Sequence, residues 1–364
     1  MRFTEEQIQF QDTISFFLKD KITSEYLRSR IESSQTRDDS LWKDFKALGL
    51  FEYFFTKQGQ GGGTLTDLGI IAFEAGKVVL PESLTDHLFA GPYILSRLDK
   101  TDLDAVSDYM GDDFLSKVIS TEEICVFAGF EKKPPKTNAL KKPSVLKHEF
   151  QHLPAYADST VLLMPAEVAG GQKICLLKLD GKADRKSTAA YIDGSLKLGS
   201  VKVEKASFIT LNSLSVDEVC SEYYALLSCS LAGSSHKALA LSLKHAKART
   251  QYGKPIAAFQ AVQHALSEMH LKAEAMYASA NFACFAADFS REQLSLAAHS
   301  ALRYSRDAAV DIAEQAIQVH GGIGFTWEYD LHFYLRRANM LKALTSYIYS
   351  EKFNKNFIEF ALNK

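Results

Sequence analysis

The feature that most constrains this chain is a series of long, single-striped helical patterns filling its C-terminal half. From about Asp217, apolar residues recur every three or four positions. Leu239, Leu243 and Ala246 form one stripe, and Val262, Leu266, Met269, Ala273, Met276 and Ala280 form a second. Leu294, Ala298, Ala301, Ala308, Ile312 and Ala316 form a third. A 3.6-residue period with one apolar face and small residues at the seam predicts long helices packed as an antiparallel bundle.

The preceding segment has a different character. Near Ile124 the stripes give way to short, β-branched runs: Val161-Leu162-Leu163-Met164, Ile174-Cys175-Leu176-Leu177, and the alternating Leu198, Val201 and Val203. Such runs predict strands. Glu131-Lys132-Lys133-Pro134-Pro135-Lys136 and then Lys141-Lys142-Pro143 read as an exposed, solvated loop. The first third is helical again. Phe10, Ile14 and Phe17 share one face, and Leu41, Phe45 and Leu48 follow the N-cap cluster Asp38-Asp39-Ser40 and stop at Gly49. A flexible Gly59-Gln60-Gly61-Gly62-Gly63 loop precedes an apolar stretch from Leu65 to Leu80 that Pro81 closes. The order is helices, a small β region, helices.

At 364 residues the chain exceeds one ordinary core. Its net charge of −2 leaves no basic field for nucleic acid. The five cysteines are scattered without metal-ligand spacing, the pattern of reduced, buried thiols. The start Met1-Arg2-Phe3-Thr4 has no secretory pattern, and no apolar run approaches the roughly 20 residues that cross a bilayer. The expectation is a cytoplasmic protein with no membrane span.

Two motifs carry chemistry. Arg249-Thr250-Gln251-Tyr252-Gly253-Lys254-Pro255-Ile256 lies between two predicted helices, with Gly253 and Pro255 forcing a turn and Gln260 opening the next helix. Arginine offers a fork of donors to a pyrophosphate, and helix N-terminal amides also favour anions. An arginine at a helix C-terminus is equally a routine dipole partner. The second motif, Gln318-Val319-His320-Gly321-Gly322-Ile323-Gly324-Phe325-Thr326, ends a helix on glycines that admit a ligand close to the backbone. It is not a Rossmann fingerprint, because no strand precedes it and no helix opens on its glycines. By itself it is also what a glycine-terminated helix looks like.

Together the two motifs resemble the acyl-CoA dehydrogenase family, whose pattern there is Arg-x-x-Phe/Tyr-Gly-Lys-x-Ile, a following Gln, and a later Gln-x-x-Gly-Gly-x-Gly-Phe/Tyr. The resemblance covers the whole chain. It implies an α+β, mainly α fold: an N-terminal helical domain (1–120), a middle β-domain (121–212) and a C-terminal four-helix bundle (213–364), with FAD at a subunit interface. It assigns Arg249, Gln251, Tyr252, Phe259, Gln260, Gln318, His320, Gly321 and Gly322 to cofactor binding.

What is missing relative to the family is equally informative. The family hosts the isoalloxazine ring with a Thr-Glu-Pro-x-x-Gly-Ser-Asp segment and a Trp-Ile-Thr strand. Here those positions read Gly129-Phe130-Glu131-Lys132-Lys133-Pro134-Pro135-Lys136 and His148-Glu149-Phe150-Gln151-His152-Leu153-Pro154. The catalytic carboxylate that would take the pro-α proton is absent too. One family position for it falls at Thr345-Ser346-Tyr347, and the other at Tyr223, with Tyr224 where an arginine usually follows. Glu222 is one residue off, about 100° around a helix, and should face elsewhere. Glu328 and Asp330 beside the glycine loop read as solvated or interface residues. The resemblance therefore implies no catalytic residue and no metal ligand in this chain.

Three readings follow. The first is a half-site subunit of an α2β2 acyl-CoA dehydrogenase that donates the adenosine and pyrophosphate half of an FAD site to a paralogous partner, the acyl-CoA being held mainly by that partner. The Gly321–His332 stretch, running on to Ala338, resembles the branch acting on steroid side-chain thioesters. The second is a self-sufficient homotetrameric dehydrogenase with an unrecognised base. The third is a cofactor-free scaffold, against which retention of Arg249, Gln260 and Gln318 argues.

Overall fold

The computed structural model describes residues 2–55, 62–131, 133–137, 144–169, 171–181, 183–187 and 192–349. Gly59-Gln60-Gly61, Lys132 and Lys141-Lys142-Pro143 lie outside the described residues. The chain is mainly helical, with a mixed sheet, a two-stranded hairpin and a C-terminal helix bundle. It divides into two compact units: Met1–Ser29 with Gly69–Leu80 and Tyr224–Lys364, and Arg30–Leu68 with Pro81–Tyr223.

In the first unit, helix Glu5–Lys21 starts with a capping box between Thr4 and Gln7 and buries Ile14 and Leu18. Long helices follow at Val216–Ala248, Gln260–Phe289 and Arg291–His320, then the shorter Leu331–Leu344. Alanines fill the expected seams: Ala273, Ala280, Ala298, Ala301 and Ala316 are fully or almost fully buried. Leu243 departs from its stripe. It is 38% exposed while Leu239 and Ala246 are buried, because four helical steps turn about 400° and carry it past the buried face. One crossing is especially close. A Cβ on Gly76 would lie 2.0 Å from the Ser230 carbonyl oxygen, and one on Gly233 would lie 1.9 Å from that of Phe73.

The second unit holds the sheet, in the order Cys125–Phe127, Val161–Val168, Gly171–Lys178, Leu198–Leu211, Ser144–Pro154. The first pair is parallel and the others are antiparallel. Strand Ser144–Pro154 departs from regular register between Leu146 and His148 and again between Phe150 and Leu153. Helix Asp39–Ala47 is capped by Asp38, whose carboxylate accepts from the Ser40 and Leu41 amides, and Gly49 turns the chain at φ 71°. The lysine-proline segment is in part the solvated loop expected, with Lys133 and Lys136 exposed, and departs from it at two points. Lys136–Thr137 pairs in parallel with Val161–Val168, and Lys136 bridges to Glu167 at 2.7 Å. Glu131 is drawn inward, as described below.

Candidate cofactor site

The first motif folds as the hairpin its turn residues dictate. Helix Val216–Ala248 ends one residue before Arg249, whose amide donates to the His245 carbonyl at 2.8 Å. Thr250 pairs with Pro255 and Gln251 with Lys254. Tyr252 and Gly253 make the reversal at φ 48° and 78°, the left-handed pair that a two-residue hairpin requires. Glycine takes this conformation freely, and Tyr252 takes it at a position where its side chain is 93% exposed. Phe259 then leads into helix Gln260–Phe289 without a side-chain cap on the first turn, which leaves amides for an anion. The Lys254 ammonium sits over the Phe259 ring at 4.6 Å, and Tyr252 meets the same ring edge-on. Arg249 is exposed, and among the described residues no acid pairs with its guanidinium.

The glycine motif closes helix Arg291–His320. Gly321 turns it at φ 65°, and the chain tightens into a 3-10 turn over Gly321–Phe325. Nothing lies within 4 Å of a Cβ built on Gly321 or Gly322, so both backbones are open to a ligand. Gly324 differs, since a Cβ there would meet the Ile317 carbonyl oxygen at 3.0 Å; it serves the turn itself.

Tertiary structure brings the two motifs to one end of the bundle. Helices Gln260–Phe289 and Arg291–His320 are joined at Ser290 and run antiparallel, with Lys272 paired to Asp311 at 3.2 Å along the way. Gln260 and Gln318, both exposed, therefore share the end opposite the joint. His245 stacks on His320 with ring centroids 4.3 Å apart and planes 30° apart. Tyr329 is hydrogen-bonded to His320 Nε2 at 3.0 Å. Arg28 holds the segment after the glycines, donating to the Trp327 carbonyl at 2.7 Å and pairing with Asp330 at 2.8 Å. A cavity of about 440 Å³ opens beside them, lined by Lys244, His245, Glu328, Tyr329 and Asp330 among others.

These observations fit the anionic half of FAD: an unpaired guanidinium, an uncapped helix start and two open glycine backbones around one helix-bundle end. The nine residues singled out in the sequence all lie on these two loops and the helix ends beside them. His245, Tyr329 and Arg28 were not singled out. For His245 the available signal was its position one helical turn before Arg249.

In the second unit, the segments that replace the ring-hosting motifs satisfy themselves. The Glu131 side chain is 7% exposed and accepts from the Gln151 amide and, at 3.4 Å, from His148 Nε2. A carboxylate that finds a backbone donor and an imidazole gains more inside than in a solvated loop, which is why the loop expectation fails there. Tyr223 packs against Phe89, Phe127 and Phe130 and donates its hydroxyl to Asp86 at 2.8 Å. A Cβ on Gly129 would strike Phe127 and Tyr223. Glu222 is fully buried and ion-paired to Arg97, with the Tyr93 hydroxyl 3.4 Å away. In the first unit, Tyr224 packs edge-on to His299, and the buried Thr345 hydroxyl donates to the Leu341 carbonyl at 2.7 Å.

The comparisons with known proteins agree with this geometry. Residues 225–345 match the family model "Acyl-CoA dehydrogenase, C-terminal domain". The chain is 42% identical over 148 residues to acyl-CoA dehydrogenase FadE34 of Mycobacterium tuberculosis, a match covering 40% of this chain and only 21% of that relative's length. Among solved structures it resembles the ChsE4-ChsE5 complex from Mycobacterium tuberculosis, with TM-score 0.84, 16% identity and 98% of each chain covered. It also resembles a variant of the "Tcur3481-Tcur3483 steroid ACAD", with TM-score 0.83, 19% identity and 99% of each chain covered. The class defined by fold and site is thus the acyl-CoA dehydrogenase fold. Over residues 225–345 the chain is similar to the acyl-CoA dehydrogenase family, whose members bind FAD. Among the described residues, no helix is long and apolar enough to cross a membrane.

Proposed function

We propose that this chain is a half-site subunit of a heteromeric, flavin-dependent acyl-CoA dehydrogenase, with 1–120, 121–212 and 213–364 as its helical domain, β-domain and bundle. Arg249, Gln251, Tyr252, Phe259, Gln260, Gln318, His320, Gly321 and Gly322 hold the adenosine and pyrophosphate half of an FAD whose ring lies in a paralogous partner. FAD supplies the hydride acceptor for α,β-dehydrogenation of an acyl thioester. This chain contributes cationic and backbone donors, and the partner contributes the base and most of the acyl-CoA contacts. The observation that carries the reading is an asymmetry. Among the described residues no acid pairs with the Arg249 guanidinium, whereas Glu131 and Glu222 are held by internal partners. The two-component names of the similar solved structures support assembly with a second kind of subunit, and one of those names supports a steroid substrate class.

The test is cofactor stoichiometry. Expressed alone, the chain is expected to be colourless or poorly flavinylated and inactive in dye reduction with any acyl-CoA. Purified with its partner, it should carry about one flavin per two chains, because each flavin draws on both subunits. A lone, fully yellow and active preparation would end the half-site reading.

A further inference from the structure

We propose that His320, through its stack on His245, is a positioning residue that makes the Arg249 turn and the Gly321-Gly322 loop one phosphate-binding unit. The inference rests on the cofactor reading above and names what aligns that site.

The connection is short at both ends. His320 is the last residue of its helix, so its backbone runs directly into Gly321. His245 accepts, through its carbonyl, the hydrogen bond from the Arg249 amide. A ring contact of 4.3 Å between them therefore spans the two motifs at their roots. The His320 ring is held from three directions. Its Nδ1 faces the Ala316 carbonyl at 2.7 Å, and a carbonyl can only accept, so Nδ1 carries the proton. Nε2 is then the acceptor and takes the Tyr329 hydroxyl at 3.0 Å. One ring face lies on His245, and the residue is only 6% exposed.

Burial is the main reason the two rings are neutral. Lys244 and Arg249 neighbour His245 on its own segment, while Glu328, Tyr329 and Asp330 face it from the loop after the glycines. Burial lowers both imidazoles below their ordinary value, with Arg249 adding to the effect on His245 and His245 to that on His320. Two neutral rings attract across such a gap, and two imidazolium ions would repel. The alanine seams of the bundle do not depend on this contact, so the part of the structure it orders is the pair of loops.

The experiment uses the complex purified with its flavin-hosting subunit, stripped of flavin and titrated with FAD by fluorescence quenching, alongside urea unfolding. His245→Ala and His320→Ala are expected to raise the Kd for FAD about two- to tenfold, the range a ring pair is worth; the His245→Ala urea midpoint should be unchanged, whereas His320→Ala also removes the buried bonds to Ala316 and Tyr329. His245→Phe, which keeps a ring on His320, should recover most of the loss. In that variant the His320 imidazole should titrate at higher pH by NMR, since the neighbouring group whose protonation opposes its own is gone. The proposal is overturned if both alanine variants bind FAD as wild type while Arg249→Ala binds more weakly; the cofactor reading then stands alone. It is also overturned if His245→Phe fails to recover affinity, or if the His245→Ala urea midpoint falls in step with affinity. If Arg249→Ala binds FAD normally, the cofactor reading itself fails and the inference falls with it.

Discussion

Glu222 and Arg97 form a buried ion pair: the carboxylate is fully buried, the guanidinium is 18% exposed, and Glu218 adds a weaker contact at 3.5 Å. Burial alone would lower the arginine's pKa, yet the adjacent carboxylate outweighs it and the net shift is upward. A carboxylate held this way is a structural anion, poorly placed to accept a substrate proton.

Its expected behaviour under mutation follows. Glu222→Gln in the assembled complex should change turnover by much less than about tenfold, whereas loss of a true base costs roughly 10² to 10⁴. Arg97→Ala, which strands the carboxylate, should destabilise the chain by about 3 kcal/mol in urea unfolding. Collapse of activity in Glu222→Gln with flavin retained would show that this chain holds its own base.

The phosphate donors predict a different pattern. Arg249→Ala should weaken flavin retention in the heteromer, because charge-assisted bonds to phosphate contribute roughly 1.5–3 kcal/mol each. Thr345→Ala removes only a hydroxyl bonded to the Leu341 carbonyl and should leave turnover nearly unchanged. Flavin absorbance after gel filtration, with dye reduction on the same samples, checks both. Normal flavin retention in Arg249→Ala would remove the assignment of this motif to the cofactor.

Acid should act on the second unit through His87. This fully buried imidazole donates from Nε2 to the Val118 carbonyl and accepts at Nδ1 from the Cys125 amide, and burial pushes its pKa down to about 4. Its folded pKa lies below the unfolded value of 6.5. The stability it contributes is therefore complete above about pH 6.5 and lost as pH falls through about 4, a difference of about 3 kcal/mol. Glu82 opposes this. Burial raises it to about 7 despite the Trp42 and Arg30 contacts, so its contribution is present below 4.5 and lost as pH rises through 7. The wild-type profile is thus flatter than either group alone would make it. His87→Gln keeps a donor and an acceptor but cannot titrate there. The stability difference between variant and wild type should move by about 3 kcal/mol in the variant's favour from pH 7 to pH 4; a constant difference would refute the assignment.

The close helix crossing predicts strict size limits. Gly76→Ala and Gly233→Ala each put a methyl about 2 Å from a backbone oxygen that cannot rotate away. Each should destabilise by at least the 1–3 kcal/mol typical of overpacking, read from the denaturation midpoint. Gly322→Ala, whose Cβ enters open space, should leave the midpoint unchanged.

Much of this was legible before any coordinates. Three apolar stripes sufficed for the bundle, Asp38 and Gly49 marked the ends of a helix, and the Arg249 and Gly321 segments announced a turn and an open backbone. These are local properties, set by side-chain period, capping chemistry and allowed φ, which a linear string records. The rest depended on partners far apart in the chain. No sequence spacing indicates that His245 meets His320, that Arg97 reaches Glu222, or that Gln151 offers its amide to Glu131 and draws that one carboxylate inward. Leu243 shows the limit of the stripe: a step of four carries it past the buried face, and it is exposed. Sequence by itself determined the elements and the chemistry they carry. Tertiary structure decided which charges are spent internally and which stay free for a ligand, because pairing energy depends on distance and burial, and neither exists until the chain has folded.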